Sequence, residues 1–183
     1  LALPDIAGKE KRKMENGMVH LYWGDGKGKT TAAMGLALRA LGHGQRVVIL
    51  QFLKGSPSGE VPLLEKLGAV VIRSRPGQKF VFQMSEAEKA AARQEQTENL
   101  CAAMAAPADL LLLDEACAAW QLDMVDRALL QKAVLEKPPR QELVLTGRTP
   151  ADWMLARADY STEMCCRRHP YDKGTSAREG VEF

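Results

Sequence analysis

The chain has 183 residues, enough for one domain with a sizeable core. Hydrophobic residues make up 46% and charged residues 26%, as in ordinary globular proteins, and a net charge of +2 is too small to make nucleic acid or an anionic membrane the main partner. No apolar run is long enough to span a bilayer and no signal peptide opens the sequence, so the chain reads as cytoplasmic.

Residues 1–17 are polar and lysine-rich, and read as a flexible basic arm preceding one domain over 18–183. Met18 to Trp23 is a short apolar strand. The loop Gly24-Asp25-Gly26-Lys27-Gly28-Lys29-Thr30-Thr31 follows, then a helix from Thr30 to Gly42. Glycines let the backbone turn its N–H groups toward one point, and the helix start adds free N–H groups and a positive dipole end. This is a phosphate-binding loop (P-loop) in which Lys29 supplies a point charge and the Thr30 hydroxyl is placed for Mg²⁺ or Mn²⁺. The usual pattern opens on glycine one residue earlier, where this chain has Trp23, and Lys27 is an additional loop lysine.

Arg46 to Phe52 is a strand apolar enough to be buried on both faces. Gln51 and Lys54 lie at its carboxyl end, where parallel α/β sheets bind ligands, so both are candidate ligand contacts; the alternative is a surface loop. A short helix from Gly59 to Leu67 and a strand from Val70 to Arg73 come next. The loop from Ser74 to Gln83 turns at Pro76-Gly77 and carries Phe80 and Phe82. These rings either tack the loop to the core or form an aromatic wedge over a large ligand.

Ser85 and Glu88 form a capping box for a helix running to Met104. Leu110 to Leu113 is a buried strand ending in Asp114-Glu115, where a carboxylate would hold the metal; the alternative is an ion pair with a loop lysine. Asp123 is expected to cap a helix reaching Glu136. Glu142 to Thr146 is the fifth strand, followed by Gly147-Arg148 and a helix with Thr149 as cap and Pro150 in its first turn. Arg148 would touch phosphate or make a structural ion pair. Thr162 to Arg167 is expected as the sixth strand, before a polar tail. Cys101, Cys117, Cys165 and Cys166 lack disulfide or zinc spacing and read as buried free thiols. Alternating strands and helices predict a single-domain α/β P-loop fold, with a mostly parallel six-stranded sheet and helices on both faces. The residues alone leave phosphoryl transfer by a kinase, an ATPase switch and alkyl transfer from the nucleotide all open.

Four stretches carry a resemblance to a known family: GDGKGKTTAAMGLALRALGHG from Gly24, VVILQFLKG ending at Gly55, LLLDE ending at Glu115, and LTGR at Leu145 with the tail HPYDKGTSAREGVEF. With these the chain resembles the ATP:corrinoid adenosyltransferases of cobalamin biosynthesis. The resemblance implies transfer of the 5′-deoxyadenosyl group of ATP to the cobalt(I) of a corrinoid, with release of triphosphate. It implies that Gly24 to Thr31 hold the triphosphate, with ATP lying in the opposite sense to most P-loop proteins. Lys27, Lys29 and Glu115 would act in catalysis, and Thr30, Asp114 and Glu115 would hold the metal. Phe80 and Phe82 stand where the family pattern is Phe-Thr-Trp, and by resemblance would push away the axial ligand of cobalt(II) before reduction. A flavoprotein reductant and a homodimer are further implications.

Overall fold

Alternation along the central strands sets the layers. Val47, Ile49, Leu110, Leu112 and Val144 join one apolar cluster, and Val48, Leu50, Leu111, Leu113, Leu143 and Leu145 join another. Successive strand residues point to opposite faces, so both faces of this sheet need cover. The computed structural model describes residues 16–181 apart from 56, 76 and 78. It contains β1 (Val19–Trp23), α1 (Lys29–Gly42), β2 (Val47–Gln51), α2 (Val61–Lys66), β3 (Val70–Arg73), α3 (Glu86–Ala105), β4 (Leu110–Asp114), α4 (Ala116–Gln121), α5 (Arg127–Leu135), β5 (Glu142–Gly147), α6 (Asp152–Arg157) and β6 (Tyr160–Glu163). Short 3-10 turns cover Val81–Gln83 and Pro170–Lys173. Expectations for residues 1–15, for Pro76 and for the last two tail residues lie outside the described residues.

The strands are all parallel, in the order β3-β2-β4-β5-β1-β6. Ala33, Met34, Ala37 and Ala40 of α1 and Leu64 of α2 cover one face. Leu100 and Ala103 of α3, Cys117 and Ala119 of α4, Leu130 and Val134 of α5, and Met154 of α6 cover the other. The alanines of α1 let that helix lie close on β4 and β5, which brings its first turn over the end of β4. The β2–β4 register places Gln51 beside Asp114, so two buried polar residues share the carboxyl end of the sheet's centre.

Four expectations need correction. The sixth strand is Tyr160–Glu163 and not Thr162 to Arg167. It is an edge strand, exposed at every position, and an edge needs no apolar pattern to announce it. Helix α5 is capped by Asp126, which accepts from Leu129 N at 2.9 Å. Asp123 instead takes a left-handed conformation (φ 54°) and pairs with Arg127 at 3.4 Å. Helix α6 starts after Ala151, leaving Thr149 and Pro150 in the preceding loop. Of the cysteines only Cys117 is buried; Cys101 and Cys165 are exposed and Cys166 is half-buried. The Ser85–Glu88 capping box is present with both bonds formed.

The end of β5 and the start of α4 touch. A Cβ added at Gly147 (φ 155°) would lie 2.3 Å from Cys117 Cβ and 2.8 Å from its Sγ. Gly147→Ala is therefore expected to destabilise the protein by about 1–3 kcal/mol in urea denaturation, as overpacking does. Cys117→Ala keeps the offending Cβ and will not relieve the clash; Cys117→Gly removes it but leaves the cost of a side chain at φ 155° and the Cys117 Cα at 3.2 Å, so it will restore only part of the loss. Burial pushes the Cys117 thiol up to about 12, with the Glu115 charge adding to the rise. Iodoacetamide at pH 8 should thus alkylate Cys101 and Cys165 while sparing Cys117, as read by peptide mass mapping.

Candidate active site

Asp114 is fully buried at the end of β4 and gathers donors from three other elements. The Thr30 hydroxyl of α1 donates to its Oδ1 at 2.8 Å, and the Thr146 hydroxyl of β5 donates to the same oxygen at 2.7 Å. Gln51 Nε2 at the end of β2 donates to Oδ2 at 3.0 Å, and Lys54 Nζ reaches Oδ2 at 3.2 Å. A buried carboxylate is tolerated only when its lone pairs are filled in this way. Of the two alternatives the sequence offered for this strand end, a metal-holding carboxylate or an ion pair with a loop lysine, the ion pair is present, between Asp114 and Lys54.

Glu115 follows with φ 60°, an unfavourable conformation for a residue with a side chain. Its N–H donates to Thr146 Oγ1 at 2.8 Å. Burial raises its carboxyl above the usual carboxylate range, the Asp114 charge adds to this, and Lys54, Lys29 and Arg148 oppose it. Thr146 thus links the two acidic residues by giving its proton to one and accepting from the other. Sequence reasoning passed over it, since a threonine ending an apolar strand looks like any β-branched strand residue. Its place next to Gly147-Arg148 at a strand end was the available signal.

The P-loop bends as expected, with Gly24 at φ 106° and Gly28 at φ 112°. The Gly24 N–H is already bonded to Arg148 O at 3.0 Å and the Gly26 N–H to Met164 O at 2.6 Å. The amides at the start of α1, from Lys29 to Thr31, are those that lack a carbonyl one turn back. Lys29 Nζ donates to Gly26 O at 2.6 Å, inside the loop. Burial holds its ammonium below the usual lysine range; Glu115 pulls the other way and Arg148 adds to the lowering. Lys27 is placed differently, with its Nζ 3.3 Å from Val181 O in the C-terminal segment. Asp25 Oδ1 accepts from Cys166 N at 2.8 Å.

Phe80 and Phe82 are not tacked to the core. They are 71% and 82% exposed and stack on one another, with ring centroids 5.5 Å apart. With Leu53, Lys79, Met84 and Leu122 they line a cavity of about 470 Å³. Leu53, Met84 and Leu122 were not anticipated. Leu53 lines this cavity while the next residue, Lys54, holds Asp114, so the cavity and the Asp114 cluster adjoin.

A strand, a glycine-rich loop closing on Gly-Lys-Thr, a helix, and a carboxylate at a neighbouring strand end bonded to that threonine define a P-loop nucleotide-binding protein. The exposed aromatic cavity meets that carboxylate cluster at Leu53 and Lys54. Residues 15–183 match the family model for ATP:corrinoid adenosyltransferase BtuR/CobO/CobP, and the chain belongs to that family. It is 34% identical to a corrinoid adenosyltransferase of Escherichia coli (strain K12), over 92% of this chain and 87% of that protein. A corrinoid adenosyltransferase of Pseudomonas aeruginosa is 32% identical over 92% of this chain and 85% of its own length. CobA, the corrinoid adenosyltransferase of Salmonella typhimurium, is 33% identical over 92% and 87%. The family is one of enzymes that transfer an adenosyl group from ATP to a corrinoid, and a P-loop kinase or ATPase switch is not favoured. Among the described residues no helix is long and apolar enough to cross a membrane.

Thr146→Val keeps the shape of the side chain but strips Asp114 of one donor and Glu115 N of its acceptor. It should cost about 1–3 kcal/mol in chemical denaturation, the scale for a buried group left unsatisfied, and Thr146→Ser should recover most of it.

Proposed function

We propose that the loop from Gly24 to Thr31 holds the triphosphate of ATP and presents the ribose 5′ carbon toward the cavity behind Phe80 and Phe82, where the corrinoid sits. The observation that carries this reading is the adjacency of the Asp114 cluster and the apolar cavity through Leu53 and Lys54. In the reaction, the cobalt(I) lone pair attacks C5′, a cobalt–carbon bond forms, and the C5′–O bond breaks with its electron pair going to the departing triphosphate. Cobalt(I) is a strong nucleophile, so the protein needs no general base. Its task is to orient C5′ and to stabilise charge on the leaving group, which falls to Lys29, the α1 amides, Lys27 and Arg148.

The residues fit a divalent cation. The Thr30 hydroxyl gives its proton to Asp114 and so keeps its oxygen for a cation, and the Glu115 carboxylate lies at the same strand end. Asp114, already filled by four donors, would act on the cation's water shell, and the buried Gln51 Oε1 has no hydrogen-bond partner among the described residues. Bound there, Mg²⁺ or Mn²⁺ would neutralise charge on the triphosphate. The exposed, stacked phenylalanines support a part in displacing the axial ligand of cobalt(II), which eases its reduction. A flavoprotein as electron donor, a homodimer, a cytoplasmic setting, and a catalytic domain at 18–183 preceded by an arm at 1–17 complete the proposal.

Incubation with ATP, Mg²⁺ and chemically reduced cobalamin should give the spectrum of the adenosylated corrinoid together with inorganic triphosphate. ADP, or an unchanged corrinoid spectrum, would refute the reading. Lys29→Ala should lower turnover by about a hundredfold or more, as removal of a transition-state charge contact does. Phe82→Ala should react normally with cobalt(I) yet slow the assay that starts from cobalt(II). An equal loss in both assays would make the aromatic loop a structural element only.

A further inference from the structure

The β1–β6 pairing runs past the end of the sheet and into the P-loop. Met164 N donates to Trp23 O at 2.7 Å, and Gly26 N then donates to Met164 O at 2.6 Å. The next bond in the series uses a side chain: Cys166 N donates to Asp25 Oδ1 at 2.8 Å. The backbones meet so closely that a Cβ at Gly24 or Gly26 would lie 2.5 or 2.7 Å from Met164 O. The far end of the segment returns to the same loop, where Val181 O accepts from Lys27 Nζ at 3.3 Å. Between these ends, the turn Pro170–Lys173 is capped by His169, which accepts from Tyr171 N through Nδ1 at 3.2 Å. Residues 164–181 are therefore fastened to the P-loop twice, at residues 25–26 and at Lys27.

A carboxylate inside a loop that grips a triphosphate repels the ligand unless it has other work. The bond from Cys166 N gives Asp25 that work. We infer that Asp25 is a positioning residue that couples triphosphate occupancy of the P-loop to the order of residues 165–181. The inference rests on the reading of the loop as the triphosphate site. A ligand that fixes the loop amides fixes the backbone of Asp25 and Lys27 with them, and so fixes both fastenings of the segment. Coupling between two parts of a molecule is reciprocal, so the fastened segment in turn favours the liganded loop. Lys27 can serve both roles, since an ammonium has three donors and Val181 O uses one.

The test is hydrogen exchange of the full chain, read by mass spectrometry over residues 165–181, with and without inorganic tripolyphosphate and Mg²⁺, beside calorimetric binding of the same probe. Wild type and Asp25→Asn, which keeps an acceptor oxygen, should both show about tenfold slower exchange in this segment when the probe is bound, the factor expected from one hydrogen bond. Asp25→Ala should bind the probe about tenfold more weakly than Asp25→Asn, which lacks the same charge but keeps the bond, and should show no ligand-dependent slowing. Three results overturn the coupling while leaving the triphosphate reading intact. They are a wild-type segment indifferent to bound probe, Asp25→Asn behaving as Asp25→Ala, and an Asp25→Ala effect equal in the free and bound proteins. Failure of wild type to bind tripolyphosphate overturns both.

Discussion

The carboxylate of Asp114 is the constraint on which the site depends. It is fully buried and has no contact with solvent to offset its charge, so every element around it must deliver a donor. The end of β2 brings Gln51 and Lys54, the first turn of α1 brings Thr30, and β5 brings Thr146. The strand order, with β4 between β2 and β5 and α1 crossing above, is the arrangement that makes these deliveries possible at once. The same contacts fix the P-loop threonine against the acidic strand end. The stability of the buried acid and the position of the P-loop threonine are thus set by one group of bonds.

Around that centre the molecule divides its labour by polarity. On one side lie the amides at the start of α1, its positive dipole end and Lys29. On the other side the 3-10 turn at Val81–Gln83 holds two phenylalanines out of the core, at a cost in exposed apolar surface that a ligand would remove. A polyanion and a large, partly apolar ring are the two kinds of reactant that adenosyl transfer to a corrinoid must bring together.

Much of this was legible in the residues. The apolar runs at 47–51 and 110–113 announced buried parallel strands, and the Gly-Lys-Thr loop announced its strand–turn–helix through the glycines at 24 and 28. The capping box at Ser85 was written in two residues. What escaped lacked a local cause. Strand β6 pairs on one side only and is exposed throughout, so no period marks it. Helix α4 is short, and alanine, cysteine and tryptophan after a left-handed glutamate carry no start signal. The role of Thr146 depends on residues 31 and 32 positions away in the chain, which only the β4–β5 pairing brings near.

The junction at residues 53 and 54 has one further implication. Leu53 sits at φ 56° and borders the apolar cavity, and the following lysine reaches the buried acid. One peptide bond spans the boundary between two compartments, the apolar cavity and the Asp114 cluster. An insertion or deletion there would slide one side chain out of its compartment whichever way the chain was repaired. Asp114 holds the lysine to its chemistry, and the two compartments hold the junction to its length.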